Sequence, residues 1–116
     1  MEAQKTEAVS VATTPERGET TVTILRIEHP VRDYDLWKKA FDSDPALRQE
    51  AGVRRYRVLR AIDDPNYVMI DLEFDGPSEA EALLAAMRDV WARVTGKIIW
   101  TPQARIVEAV ETREYD

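Results

Sequence analysis

Hydrophobic positions along this chain recur with two periods, and the places where one gives way to the other mark out its elements. From Thr21 to His29 the alternation is strict. Leu25, Ile27 and His29 fall on one face of a strand, and Ile24, Arg26 and Glu28 on the other. Pro30 closes that strand because it has no N–H to give to a ladder. The period then lengthens. Tyr34, Trp37 and Phe41 follow at i, i+3 and i+7 with Ala40 beside them, the stripe of an amphipathic helix beginning at an Asp33 N-cap. Asp44-Pro45 pairs a capping residue with a proline suited to the first helical position. This predicts a second, short helix from Pro45 to Ala51, ended by Gly52 in a left-handed conformation.

Two β-rich runs, 53–62 and 67–74, flank Asp63-Asp64-Pro65-Asn66, which reads as the turn of a hairpin. Val68, Ile70, Leu72 and Phe74 form one apolar face, leaving Tyr67, Met69, Asp71 and Glu73 on the other. A turn that pairs Ile62 with Tyr67 adds Tyr56, Val58, Arg60 and Ile62 to that second face. Helical spacing returns with Ala80, Leu83, Leu84, Met87, Trp91 and Val94; Ser78 and Glu81 have capping-box spacing, and Gly96 stops the helix. After Ile98-Ile99-Trp100 and Pro102, a last alternating run from Ala104 to Val110 reads as a strand that adds Arg105, Val107 and Ala109 to the second face. The order is β-α-β-β-α-β, a ferredoxin-like α+β plan with a four-stranded antiparallel sheet. Residues 1–20 have no sustained apolar period and read as a flexible tail, 21–112 as the domain, and 113–116 as a charged C-terminal tail.

Two helices cover one face of such a sheet. The other face would expose Ile24, Val58, Met69 and Val107 as an apolar patch, which predicts a homodimer packed sheet against sheet. Its charges, Arg26, Glu28, Asp71 and Glu73, then need ion-pair partners or a wet cavity between the sheets.

Composition narrows the function. The 116 residues are 44% hydrophobic, enough for one globular domain, and no apolar run is long enough to cross a bilayer. The first residues lack the basic and apolar regions of a secretory signal, and there is no cysteine, so a cytoplasmic location is expected. A net charge of −6 disfavours nucleic acid. The cluster Arg54, Arg55, Arg57 and Arg60 is divided between two strand faces and forms no continuous stripe. One histidine and no cysteine do not suit a transition-metal site. Asp33, Asp35, Asp42 and Asp44 lack the spacing of a calcium loop, and no glycine loop for phosphates or nucleophile elbow is present. Neither a metal nor a bound cofactor is expected.

The element order and face pattern over residues 21 to 112 resemble the dimeric α/β-barrel superfamily, which includes antibiotic-biosynthesis monooxygenases and small polyketide cyclases. The stretches Glu28 to Phe41 and Pro102 to Glu108 are also similar to small bacterial proteins labelled as cyclases. The resemblance implies a pocket between sheet and helices in each subunit, and chemistry on an aromatic or polyketide-like small molecule without metal or flavin. It includes no diagnostic catalytic motif. The asparagine often paired with a tryptophan in the monooxygenases has no counterpart, since Asn66 falls in the expected turn.

His29, the sole histidine, is the candidate catalytic acid–base group, being the side chain whose ordinary pKa lies nearest neutrality. The alternative is a half-buried histidine bonded to backbone. Tyr34 and Trp37 are the candidate substrate-binding residues, able to stack on a flat aromatic ligand; core packing is the alternative. Trp91 reads as core and Trp100 as a pocket or subunit contact. Asp71 and Glu73 with Arg26 and Arg60 read either as a polar substrate site or as an ion-pair network at a dimer seam. The functional expectation is a small cofactor-independent cyclase or monooxygenase, with a non-catalytic binding or assembly protein of the same fold as the alternative.

Overall fold

A computed structural model describes residues 22–116. The elements are β1 (Thr23–Pro30), α1 (Tyr34–Asp42), β2 (Arg55–Ala61), β3 (Asp64–Phe74), α2 (Pro77–Val94) and β4 (Gln103–Glu108). The strands form one antiparallel sheet in the order β2-β3-β1-β4. This is the ferredoxin-like α+β arrangement expected from the alternation of periods. The expected N-terminal tail, with Val9 and Val11, lies outside the described residues.

Both helices pack on one face of the sheet, and the core lies between the layers. Leu25, Ile27 and His29 of β1 and Val68, Ile70, Leu72 and Phe74 of β3 are buried there with Trp37, Leu83 and Trp91 from the helices. Asp33 caps α1 as expected, its carboxylate accepting from the Leu36 N–H at 3.0 Å. The loop after α2 closes on itself through a bridge from Ile99 to Thr95 and is tied to the residue after β1 by a bridge from Ile99 to Val31.

Four local expectations are corrected. The hairpin turn is Ile62-Asp63, because Asp64 already pairs with Ala61. The β2–β3 register then shifts between Arg60 and Ala61, and Arg60 faces Val68. Pro65, Asn66 and Tyr67 are left out of that ladder and turn toward β1. The Asp64 carboxylate accepts from the Asn66 N–H at 3.0 Å, and the Asn66 carbonyl accepts from the Val31 N–H at 2.8 Å. A local Asx turn thus takes the residues expected to make the hairpin corner.

The pairing consequently differs by one residue from Ile62 with Tyr67, which moves every β2 side chain to the opposite face. Arg55, Arg57 and Leu59 lie beside Glu73, Asp71 and Met69, while Tyr56, Val58 and Arg60 face the helices.

The helix expected over Pro45–Ala51 is a series of turns. Asp44 does receive the Arg48 N–H at 2.9 Å, but Asp44 and Leu47 have φ of 57° and 54°, which no helical run contains. Gly52, with φ 101°, ends the segment in the left-handed region as expected. Finally, α2 starts at Pro77 after a Gly76 N-cap that has no side-chain cap bond, so Ser78 and Glu81 form no capping box. Proline at the first position fits because it removes an N–H that would have no intrahelical partner.

Candidate active site

Between the helices and the sheet lies a cavity of about 260 Å³. Its floor is β1 and β3, through Ile27, His29, Ile70 and Leu72. Trp37 and Phe41 of α1 form one wall, and Met87 and Trp91 of α2 the other. Alternation along β1 brings His29 here, two residues beyond Ile27 on the buried face. The i, i+4 spacing within α1 places Trp37 and Phe41 together.

His29 is 2% exposed. Its Nδ1 lies 3.2 Å from the Pro30 carbonyl oxygen, which can only accept, so Nδ1 carries the proton of the neutral ring. Nε2 is then an unprotonated base, with no hydrogen-bond partner among the described residues. Burial pushes the imidazole pKa below its usual value, and the backbone contact to Pro30 offsets this only in part. The ring therefore stays neutral at pH 7. Trp37 meets it edge to face, with centroids 6.0 Å apart.

The structure brings two of the three expected site residues into the cavity wall, His29 and Trp37. Tyr34 does not line it. Its ring centroid is 5.9 Å from Trp37 and its outer face carries the Arg60 guanidinium at 4.5 Å, so it backs the tryptophan from outside. Its N–H donates to the Asn66 side-chain oxygen at 3.1 Å. Trp91 is core and cavity wall together, while Trp100 is 40% exposed and outside the cavity.

Arg48 was not among the residues singled out from sequence, and it lines the cavity. Its guanidinium lies 3.9 Å from the Phe41 ring centroid and 5.0 Å from that of Tyr56. Its Nη1 donates to the Phe41 carbonyl at 2.9 Å. The only sequence signal was its position four residues after Asp44, within a segment that read as helix.

The charged cluster expected on the second face is real but differently paired. Asp71, its side chain 5% exposed, accepts from Arg26 Nε and Nη2 at 2.9 and 2.8 Å and lies 3.6 Å from Arg57. Glu73 pairs with Arg55 at 2.8 Å. Arg60 lies across the sheet and takes no part. Tyr67 donates its hydroxyl to Glu28 at 2.7 Å. Among the described residues, no group of three His, Cys, Asp or Glu side chains is arranged to hold a metal ion, the aspartates of α1 included. No helix there is long and apolar enough to cross a membrane.

The sequence matches no family model and no curated protein. Its fold, however, recurs among solved structures. SnoaB from Streptomyces nogalater, a cofactor-independent oxygenase, superposes with a TM-score of 0.63 at 17% identity, covering 81% of this chain and 97% of its own. A Nitrosomonas europaea protein with the provisional name antibiotic biosynthesis monooxygenase gives 0.62 at 13% identity, covering 82% of this chain and 96% of its own. A dimeric ferredoxin-like protein from an uncultured marine organism gives 0.61 at 10% identity, covering 83% of this chain and 94% of its own. The chain therefore has the ferredoxin-like fold of this group of proteins, the fold that the resemblance implied.

Proposed function

We propose that this protein is a small enzyme that takes an aromatic or polyketide-like compound into the cavity and uses His29 as its acid–base group, without a metal or organic cofactor. The observation that carries the proposal is a buried, neutral imidazole lining an apolar cavity, its Nε2 without a hydrogen-bond partner among the described residues, edge to face with Trp37. The fold shared with an oxygenase that needs no cofactor supports it in the same direction. Trp37, held from behind by Tyr34, gives the substrate a flat surface.

For cyclisation, Nε2 takes a proton from a carbon flanked by carbonyl groups. The carbanion attacks a carbonyl carbon of the same molecule, a carbon–carbon bond forms, and the resulting alkoxide takes the proton back from the imidazolium. For oxygenation, the same base takes a proton from a ring methylene, the carbanion adds dioxygen, and the hydroperoxide formed loses water as its O–O bond breaks, so that both methylene hydrogens leave, CH2 becomes C=O and the substrate itself supplies the electrons. The apolar wall helps both, because a base with a depressed pKa is unprotonated at pH 7.

The protein is further proposed to act as a homodimer packed through the open sheet face, with its small-molecule ligand held separately inside each subunit. The test of the chemistry is turnover of an anthrone- or polyketone-type substrate by the wild type and by His29→Ala. The proposal expects a loss of about 10²-fold or more in kcat; a variant with full turnover would remove His29 from the mechanism.

One observation favours binding without catalysis: among the described residues, no carboxylate lines the cavity to assist His29. That reading expects wild-type protein to bind such compounds, quenching Trp37 and Trp91 fluorescence, with no product formed.

A further inference from the structure

The cavity has an apolar body and a cationic rim. Among the described residues, its two charged lining residues are Arg48 and Arg93, and no acidic side chain lines it. Arg48 is the better placed, because its side chain is only 15% exposed and its guanidinium is fixed on the rings of Phe41 and Tyr56.

A guanidinium has five N–H donors. Among the described residues the structure accounts for one good bond, from Nη1 to the Phe41 carbonyl at 2.9 Å. Asp44 lies 3.5 Å from the same nitrogen, near enough for attraction and too far for a strong hydrogen bond. Arg48 thus retains a forked set of donors in a largely water-excluded position, where an anion is bound more strongly than in open solvent.

The backbone holding it is itself unusual. Asp44 and Leu47 both occupy the left-handed region, which aspartate tolerates but which is disfavoured for a leucine, and Leu47 is exposed and gains no core packing for it. Strain of this kind is retained where it positions a functional side chain. Here its effect is to place Arg48 at the cavity rim beside Phe41.

We infer that the ligand of this cavity is an amphiphilic carboxylate, its ring system against Trp37 and its carboxylate held by Arg48 at the rim. This rests on the cavity being a ligand site, as proposed above, and adds the ligand's charge and orientation. The carboxylate accepts two parallel N–H bonds from the guanidinium fork while the far end of the ring system approaches His29.

The inference is tested by titrating wild type, Arg48→Gln and Arg48→Lys with 1-naphthoate and with the uncharged 1-naphthalenemethanol, following tryptophan fluorescence at low salt. The wild type is expected to bind the carboxylate at least about tenfold more tightly than the alcohol, the worth of one charge-assisted hydrogen bond. Arg48→Gln should weaken carboxylate binding far more than alcohol binding and so remove that preference, and Arg48→Lys should keep part of it. Equal affinity for the two probes in the wild type, or equal loss of both in Arg48→Gln, overturns the role of Arg48 while leaving the cavity as a ligand site. Failure of both probes to bind at millimolar concentration overturns the ligand site itself and this inference with it. His29→Ala leaves Arg48 in place, so lost turnover with an intact carboxylate preference in that variant separates the failure of one proposal from the failure of the other.

Discussion

His29 shows how one buried side chain links stability, protonation and chemistry. Its folded-state pKa lies below the value in the unfolded chain because burial disfavours the imidazolium. Above the unfolded value, near pH 6.5, both states are neutral and the contribution to stability is fully present. As pH falls below about 6.5 the unfolded chain binds a proton that the folded chain resists, and stability falls until the folded pKa is passed. The wild type should therefore lose up to about 1.4 kcal/mol per pH unit in that window through this residue. Comparing urea unfolding of wild type and His29→Gln at pH 7.5 and 5.5 checks this: the difference in stability between the two proteins should change with pH, and a constant difference would show that His29 titrates alike in both states. Asp71 poses the opposite problem, a buried carboxylate that needs its cations. Removing Arg26 leaves Asp71 with Arg57 at 3.6 Å, so Arg26→Ala should cost about 2 kcal/mol by chemical denaturation. A cost near zero would mean that Arg57 moves in to replace it. His29 could be placed from sequence because it falls in step with Leu25 and Ile27. Arg48 could not, since its role depends on two left-handed residues that carry no glycine to announce them.

At the scale of elements, the apolar period was enough where a strand or helix had one strongly buried face. Strand β3 and the core stripe of α2 are where Val68, Ile70, Leu72, Phe74, Leu83 and Trp91 put them. Strand β2 was ambiguous for a physical reason. It is an edge strand in which Arg and apolar residues alternate irregularly, so neither face is marked, and its register depends on the corner alone. That corner differs from expectation because Asp64-Pro65-Asn66 has turn chemistry, which the fold uses for an Asx turn facing β1 while Ile62-Asp63 reverses the chain. The same limit applies to the segment between α1 and β2, where capping by Asp44 was legible and its left-handed backbone was not. Gly52 offers a direct check on that segment. Its φ of 101° disfavours any Cβ, and an added Cβ would lie 3.3 Å from Glu79 Cγ. Gly52→Ala should cost about 1–2 kcal/mol in thermal or urea unfolding, and if Arg48 depends on this turn, carboxylate binding should weaken with it. Unchanged stability would mean that the turn readily adopts another conformation.

For the whole molecule, the decisive question is what covers the open face of the sheet. Ile24, Met69 and Val107 are half-buried there and Leu59 is exposed, so an apolar patch accompanies the ion pairs. The corrected register sharpens its electrostatics: one row across the sheet reads Arg57, Asp71, Arg26, Arg105, three guanidiniums around one carboxylate. Such a row cannot neutralise itself. The next rows hold Glu73 and Glu28, and a two-fold axis lying between two facing sheets and parallel to them would let the acids of one copy meet the surplus cations of the other while the apolar positions meet. On this argument the protein should sediment at twice its 13.3 kDa chain mass at micromolar concentration. Ile24→Lys tests the face itself. Within one chain the new ammonium lies opposite Glu73 and is tolerated; between two sheets it would be a buried cation, costing several kcal/mol unless it found a partner. The variant should sediment as a folded monomer with unchanged circular dichroism. A wild type that is monomeric, or an Ile24→Lys variant that stays dimeric, would place the subunit contact elsewhere. The ligand cavity lies on the other side of the sheet, between layers of a single chain, so the monomeric variant should still bind the naphthoate probe, and binding lost together with the dimer would show that assembly holds the cavity in shape.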